Sequence, residues 1–216
     1  MIRPSSGPLE GGTVLTIEGS NLGNSIQDVR GRIKIGNRDC SLLKLKNSVE
    51  ATCLTPPVRR EREMPVTLLS RQGQVQSSVR FKYMDFHLVS FSPSKGAVSG
   101  GTLLKIRGSN LDIGSKAMVY LDEVPCQVDS LQTTPNSLVC RTGFVPEQRV
   151  TQNLTVVIDG GVKQLRSPFF YTPDPVVHDI QPLKSFFSGI VHSVFIFKAG
   201  PVSLILFSLS ISFIRD

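Results

Sequence analysis

Four cysteines and three histidines are the residues of this chain whose side chains could form a covalent bond, hold a metal or take part in catalysis. The cysteines form two pairs: twelve residues separate Cys40 from Cys53, and thirteen separate Cys126 from Cys140. Each pair suits an intradomain disulfide between neighbouring strands, with Cα atoms roughly 4.4–6.8 Å apart. The alternatives are four reduced, buried thiols or a zinc site. Zinc is disfavoured because no CxxC spacing and no adjacent histidine accompanies either pair.

The histidines point to no catalytic site. His87, His178 and His192 are far apart in sequence, and none lies in a recognisable triad setting, so we expect surface or junction positions for them. The chain contains no P-loop, GxGxxG, HExxH or GxSxG string. We therefore expect no enzymatic activity, no bound metal and no cofactor.

The composition indicates a folded protein with many turns. Of the 216 residues, 40% are hydrophobic and 19% are charged, and 18 Gly with 14 Pro disfavour long helices. The net charge of +7 is interpreted as spread along the chain. Such an excess permits binding to acidic surfaces but does not by itself indicate nucleic acid.

A long internal repeat organises the chain. PSSGPLEGGTVLTIEGSNL at residues 4–22 recurs as PSKGAVSGGTLLKIRGSNL at residues 93–111, with 12 of 19 positions identical at an offset of 89. A third copy begins at Pro182, and its match stops after Gly189. A period of this length suits a small self-contained domain. The cysteine pairs occupy matched places in the two full copies, which favours disulfides.

Short β-branched and alternating runs, separated by turn residues, predict antiparallel strands. We predict strands at 13–18, 32–35, 65–69 and 79–83 in the first copy, and at 103–107, 118–121, 154–158 and 168–171 in the second. The fold class is therefore all-β, with immunoglobulin-like sandwiches at residues 1–84 and 85–173 and at most one helical turn in each. We expect Gly11, Gly12, Gly100 and Gly101 to be structural turn residues whose conformations a Cβ would forbid.

The repeat resembles an IPT/TIG domain. The string SGPLEGGTVLTIEGSNLG, the spaced cysteine pair and the FxY ending are similar to this immunoglobulin-like module of plexins, scatter-factor receptor kinases and Rel-type transcription factors. The cysteine pair, and the junction YTPDPV at 171–176 before a third module, are similar to the receptor versions. The first junction, FKYMDFH at 81–87, lacks the DP dipeptide and is more similar to plexins.

The resemblance implies a non-catalytic extracellular stalk segment of a plexin-like cell-surface receptor in semaphorin signalling. The ligand would bind an upstream domain, and neighbouring receptor chains are a second class of partner. One alternative is the growth-factor-contacting region of a scatter-factor receptor kinase, which an exposed apolar patch would favour. Another is an intracellular DNA-binding TIG protein, which free thiols and a contiguous basic face would favour.

Two surface features carry separate expectations. Asn153 is the acceptor of the only N-x-S/T sequon and begins a predicted strand, so we expect a glycan there if the protein is exported. The run RRERE at 59–63 is predicted to be a solvated loop, and its interspersed Glu residues argue against nucleic acid.

Both ends of the sequence suggest a part of a longer receptor. No signal peptide precedes the first module. We expect residues 174–189 to start an incomplete third IPT/TIG module and residues 190–216 to form an apolar tail. Twelve of the twenty residues from 195 to 214 are Phe, Ile, Leu or Val. That tail is a candidate membrane span, a non-native splice ending or a lipid-anchor signal.

Overall fold

The computed structural model describes the backbone of residues 1–29, 31–70, 73–181, 191–198 and 204–211. The predicted all-β fold class is confirmed. In the described ranges, the α-helical structure is one four-residue turn, α1 at Ile26–Val29, and a 3₁₀ turn lies at Ser130–Gln132. Short strands follow one another along both copies of the repeat, since alternating apolar residues can bury one face of a sheet.

The described residues of the first module form eleven short strands in three sheets. They are β1 Ile2–Arg3, β2 Ser6–Pro8, β3 Val14–Glu18, β4 Ile33–Ile35, β5 Arg38–Asp39, β6 Ser41–Lys46, β7 Glu50–Leu54, β8 Arg62–Met64, β9 Val66–Ser70, β10 Gly73–Gln76 and β11 Phe81–Met84. The sheet orders are β1-β3-β7-β6, β10-β9-β4-β5 and β2-β11-β8. Leu15, Ile35 and Phe81 are fully buried between the sheets.

The second module is one sheet of eight strands curved around a single core. They are β12 His87–Ser92, β13 Lys95–Ala97, β14 Leu103–Ser109, β15 Ala117–Leu121, β16 Val124–Val128, β17 Ser137–Thr142, β18 Arg149–Ile158 and β19 Gly161–Thr172. Their order is β12-β14-β17-β16-β15-β18-β19-β13. Burial alternates along β14, where Leu104 and Ile106 are inside and Lys105 is exposed. The FxY endings pack alike, with Phe81–Tyr83 and Phe169–Tyr171 both edge-to-face at 5.0 Å.

Each cysteine pair lies inside its own module. A disulfide joins Cys40 to Cys53, and another joins Cys126 to Cys140, each with Cα atoms 5.5 Å apart. All four residues are buried. The second bond links the neighbouring strands β16 and β17, and the first links the residue before β6 to β7.

Two segments of the apolar tail, β21 Val191–Lys198 and β22 Leu204–Ile211, are strands, and they form a sheet with β20 Val176–Gln181, which precedes the tail. The sheet is antiparallel, and its order is β20-β21-β22. The pairing of β20 with β21 repeats that of β12 with β14 at the same offset of 89: Val176 faces Lys198 as His87 faces Ser109. The backbone repeat thus continues beyond Gly189, where the sequence match ends.

Residues 182–189 of the expected third module lie outside the described residues. Within the described ranges, no helix is long and apolar enough to cross a membrane.

Two local expectations differ from the structure. The charged run at 59–63 is not entirely a loop, because Arg62 and Glu63 lie in strand β8, which pairs with β11. Asn153 does not begin a strand, since it lies four residues inside β18 beside an irregularity in the pairing with β19. In both cases the strand starts earlier than its apolar residues, because backbone pairing with a neighbour extends it into polar sequence.

Candidate functional site: the junction between the two modules

The junction between the modules is centred on Asp85, the residue that separates β11 from Phe86. Its backbone N–H donates to Glu61 Oε1 of the first module at 2.8 Å. Its carbonyl accepts from Asn110 Nδ2 of the second module at 2.7 Å. Its carboxylate Oδ1 lies 2.8 Å from the ammonium of Lys163. A single linker residue is therefore held from both sides, which fixes the direction of the chain between the modules.

Phe86 anchors the linker in the second module. Its side chain is fully buried and belongs to the core of that module, although it precedes the first strand of the eight-stranded sheet. The ammonium of Lys163 lies 5.7 Å from the centre of its ring, within the range of a cation–π contact. Burial of a phenylalanine at this place ties the position of the linker to the folding of the second module.

The hairpin between β18 and β19 supplies the second part of the junction. Asp159 takes a positive φ of 49° in the Asp159-Gly160 loop. Its carboxylate accepts hydrogen bonds from the Ser115 N–H at 2.9 Å, the Ser115 hydroxyl at 2.6 Å and the Lys116 N–H at 3.0 Å. The Ser115 hydroxyl oxygen in turn accepts from the Val14 N–H of the first module at 3.1 Å. Asp159 thus orients the serine that contacts the other module.

Two backbone hydrogen bonds also cross between the modules. The Gly160 N–H donates to Gly11 O at 3.1 Å, and the Gly114 N–H donates to Ser6 O at 3.0 Å. The approach is close, because a Cβ on Gly160 would lie 2.8 Å from Gly11 O. Only glycine allows this contact without displacing the backbone of one module.

The four predicted turn glycines have similar conformations and different surroundings. Gly11, Gly12, Gly100 and Gly101 all take positive φ, between 73° and 80°. A Cβ on Gly12 would lie 3.1 Å from the N atom of Gly160, in the second module. A Cβ on Gly101, its counterpart in the repeat, would meet nothing within 4 Å. The same motif therefore makes a turn in both modules, and its first copy also touches the next module.

Most junction residues could not be found from the repeat motif. Asn110 is a turn residue of the repeat with a φ of 57°, but its contact with Asp85 gives no sequence signal. Asp159-Gly160 does carry one, because Asp-Gly between two alternating runs is a strong hairpin signal. The signal predicts the hairpin but not the module that it contacts.

The sequon lies on the second module, away from the junction. Asn153 is half-buried, and its Nδ2 donates to Asp122 Oδ1 at 3.1 Å. It borders a hollow of about 370 Å³ that Arg166, Ser167 and Pro168 also line. Burial acts to raise the pKa of Asp122, but hydrogen bonds from Gln152 and Asn153 hold it below its usual value. The carboxylate is therefore charged at neutral pH.

We expect Asn153 to carry an N-linked glycan when the chain is secreted. A glycosylated amide retains one N–H, which can still donate to Asp122, while the glycan occupies the open hollow. The full chain, secreted from a glycosylating host behind an added leader, should lose mass on treatment with an amide-cleaving glycosidase. The N153Q variant should show no such loss. A secreted wild-type protein whose mass is unchanged by the enzyme would contradict this prediction.

No group of three or more His, Cys, Asp or Glu side chains that could hold a metal occurs in the part of the chain that the structure describes.

The comparison with known families fits the fold. The model of the IPT/TIG domain matches residues 1–83 and again residues 87–171. The chain belongs to the IPT/TIG domain family. The two matches meet at residues 84–86, so the junction described above is a boundary between two IPT/TIG domains.

Similar proteins place these IPT/TIG domains among plexins. The chain is 32% identical over 188 residues to Plexin-2 of Caenorhabditis briggsae and 34% identical over 193 residues to human Plexin-B3, each match covering 87% of this chain. It spans about a tenth of the length of these relatives. The full extracellular region of Plexin A4, domains 1 to 10, aligns with a TM-score of 0.80 and 27% identity, covering 91% of this chain and 17% of that one. The chain is a plexin-like IPT/TIG region.

Proposed function

We propose that these IPT/TIG domains form a non-catalytic spacer of fixed geometry in the extracellular part of a plexin-like cell-surface receptor. The spacer sets the distance and angle between the domains on either side of it. The observation that carries this proposal is Asp85, whose backbone is bound by Glu61 of one module and Asn110 of the other. A flexible linker would leave these groups to water.

The contacts between the modules support a rigid connection rather than a hinge. They lie at two separate places. The linker is bonded to Glu61 of the first module and is fixed to the second by Phe86 and Lys163, and the hairpin side adds backbone hydrogen bonds that cross directly. Two points of attachment resist rotation about the linker, which one point would permit. Interfaces between domains are mobile by default, so such fixation favours a mechanical role.

The receptor context of the proposal rests on the plexin relatives. By resemblance, semaphorin-type ligands would bind a domain outside this chain, and neighbouring receptor chains would be further partners at the cell surface. The paired cysteines support an exported protein, because disulfides persist in oxidising compartments. Neither the growth-factor-contacting alternative nor the DNA-binding alternative is favoured, since the relatives are plexins and the described cysteines are not free thiols.

Pulsed electron paramagnetic resonance measures the distance between the two modules and so tests whether the spacer has a fixed geometry. Spin labels placed through unnatural amino acids at Leu43 and Leu131, which are 50% and 98% exposed, report on the two modules of the full chain. We expect one narrow distance distribution. The G160A substitution should broaden or shift it, because the new Cβ would lie 2.8 Å from Gly11 O across the junction.

The matched control is G101A. This substitution is more strained locally, because Gly101 has a φ of 74°, but nothing lies within 4 Å of the new Cβ. The distance distribution of G101A should therefore match the wild type, even though its module is less stable. A broad wild-type distribution, or one that G160A leaves unchanged, would refute the rigid spacer.

A further inference from the structure

The positive charge of the chain is concentrated in the first module. Residues 1–84 contain 13 Lys and Arg against 7 Asp and Glu, whereas residues 85–173 contain 8 against 7. The expectation of a charge excess spread along the chain is therefore wrong. The first module alone has a net charge of +6, and such a local excess creates a surface potential that attracts anionic partners.

Four exposed arginines of the first module lie near one another, and we name them the arginine corner: Arg38, Arg59, Arg60 and Arg62. The guanidinium of Arg38 donates to Pro57 O at 2.8 Å, directly beside the loop that carries the next two. Arg62 lies opposite Tyr83 in the strand pairing. In the described part of the chain, none of the four forms an ion pair with a carboxylate.

Tyr83 connects Arg62 to the loop. Its hydroxyl donates to Pro56 O at 2.9 Å, next to the carbonyl that accepts from Arg38. Burial raises the pKa of Tyr83 to about 12, against the opposing effects of its hydrogen bonding and of the Arg38 charge. The neutral phenol therefore holds the carbonyl of Pro56 in place, next to the carbonyl of Pro57 that Arg38 binds.

The acidic residues of the same run are engaged elsewhere. Glu63 lies 3.0 Å from the ammonium of Lys82, and Glu61 accepts the N–H of Asp85 at the junction. Successive side chains of a strand point to opposite faces. The alternation of Arg and Glu in the sequence thus becomes a separation of charge in space, so these Glu residues do not neutralise the arginine corner.

The second module provides an internal comparison at the same place in the fold. Val145 donates to Val98 O as Val58 donates to Leu9 O, and Arg149 lies opposite Tyr171 as Arg62 lies opposite Tyr83. There, the residues in the places of Arg59 and Arg60 are Pro146 and Glu147.

Arg149, unlike Arg62, has an acidic partner. It pairs with Glu123 at 2.5 Å, and its guanidinium holds the pKa of that carboxyl below its usual value. The shared fold therefore does not require four unpaired arginines, and the first module has them without such compensation.

We propose that the arginine corner is a binding site for a sulfated polysaccharide chain. A guanidinium matches the oxygens of a sulfate with paired hydrogen bonds and, being weakly hydrated, loses little on leaving water. The corner contains no exposed aromatic side chain on which a nucleic-acid base could stack. The proposal rests on the proposed extracellular function, since sulfated polysaccharides are polyanions of that environment.

The affinity of the full chain for heparin tests the site. We measure it at about 0.15 M NaCl, where exposed charges are screened beyond about 8 Å. The R59Q/R60Q/R62Q variant should bind about tenfold more weakly or worse, since charge-assisted hydrogen bonds are the strong ones. Arg38 is kept, because it holds the loop. The control variant K105Q/R107Q/R141Q removes three exposed cations from the second module. It lowers the net charge by the same amount but leaves the arginine corner intact, so its binding should stay within about threefold of the wild type.

The outcomes separate the site from general charge attraction. Equal losses in both variants, or a loss in neither, would overturn it. Equally tight binding of unsulfated hyaluronan would show that sulfate is not recognised, and tighter binding of duplex DNA or polyglutamate than of heparin would assign the corner to another partner. A failure here is distinct from a failure of the spacer. Among the described residues these arginines make no hydrogen bond or ion pair across the junction, so the inter-module distances should not change.

Discussion

Replacing Phe86 with alanine should lower the free energy of unfolding of the second module by about 3–5 kcal/mol, the usual cost of truncating a buried phenylalanine. The side chain is fully buried among core residues that include Leu111 and Ile158. A neighbouring Gly161 cannot fill the cavity. Hydrogen exchange of the full chain, resolved by peptide and followed with increasing urea, measures the two modules separately.

The F144A substitution is the control for this prediction. Phe144 is 70% exposed in the same module, and its truncation should change stability by no more than about 0.5 kcal/mol. The first module should keep its protection in both variants. If F86A were as mild as F144A, the linker would not be part of the second core, and the junction would lose its main anchor.

Removal of one disulfide is the second large effect. The C126A/C140A double variant should lower the stability of the second module by about 3 kcal/mol, the chain-entropy estimate for a loop of this size. The two cysteines are 14 residues apart in sequence and link neighbouring strands. Reducing agent should destabilise the second module of the wild type to the level of the variant and leave that module of the variant unaffected. A wild type indifferent to reduction would mean that the thiols are free.

Strand positions were predictable because they depend on local pattern. The run that became β14 alternates buried and exposed residues from Leu103 to Arg107. The runs that became β3, β4 and β9 are short and rich in the β-branched and apolar residues that strands favour, which a single sequence displays directly. The pairing of β20 with β21 shows the limit of residue identity as a guide. Its register repeats that of the second module although the matching residues have ended, because the hydrogen bonds of strand pairing are made by the backbone and do not require particular side chains.

The junction and the arginine corner were not predictable for a different reason. The hydrogen bond from Val14 to Ser115 joins residues 101 positions apart, and no local pattern encodes such a contact. The run at 59–63 was predicted to be a solvated loop. Its last two residues instead lie in strand β8, which sends alternate side chains to opposite faces, so that Glu63 meets Lys82 and Arg62 does not.

The parallel pairing of the second strand with the last strand of each module has a mechanical consequence. β2 runs parallel to β11 in the first module, and β13 runs parallel to β19 in the second. When the two ends of a module are pulled apart, such strands slide past each other, and their hydrogen bonds are loaded together in shear rather than opened one at a time. Under tension, each module is therefore held together by its pair of parallel strands. The rate at which these two strands separate sets how long the module stays folded under force.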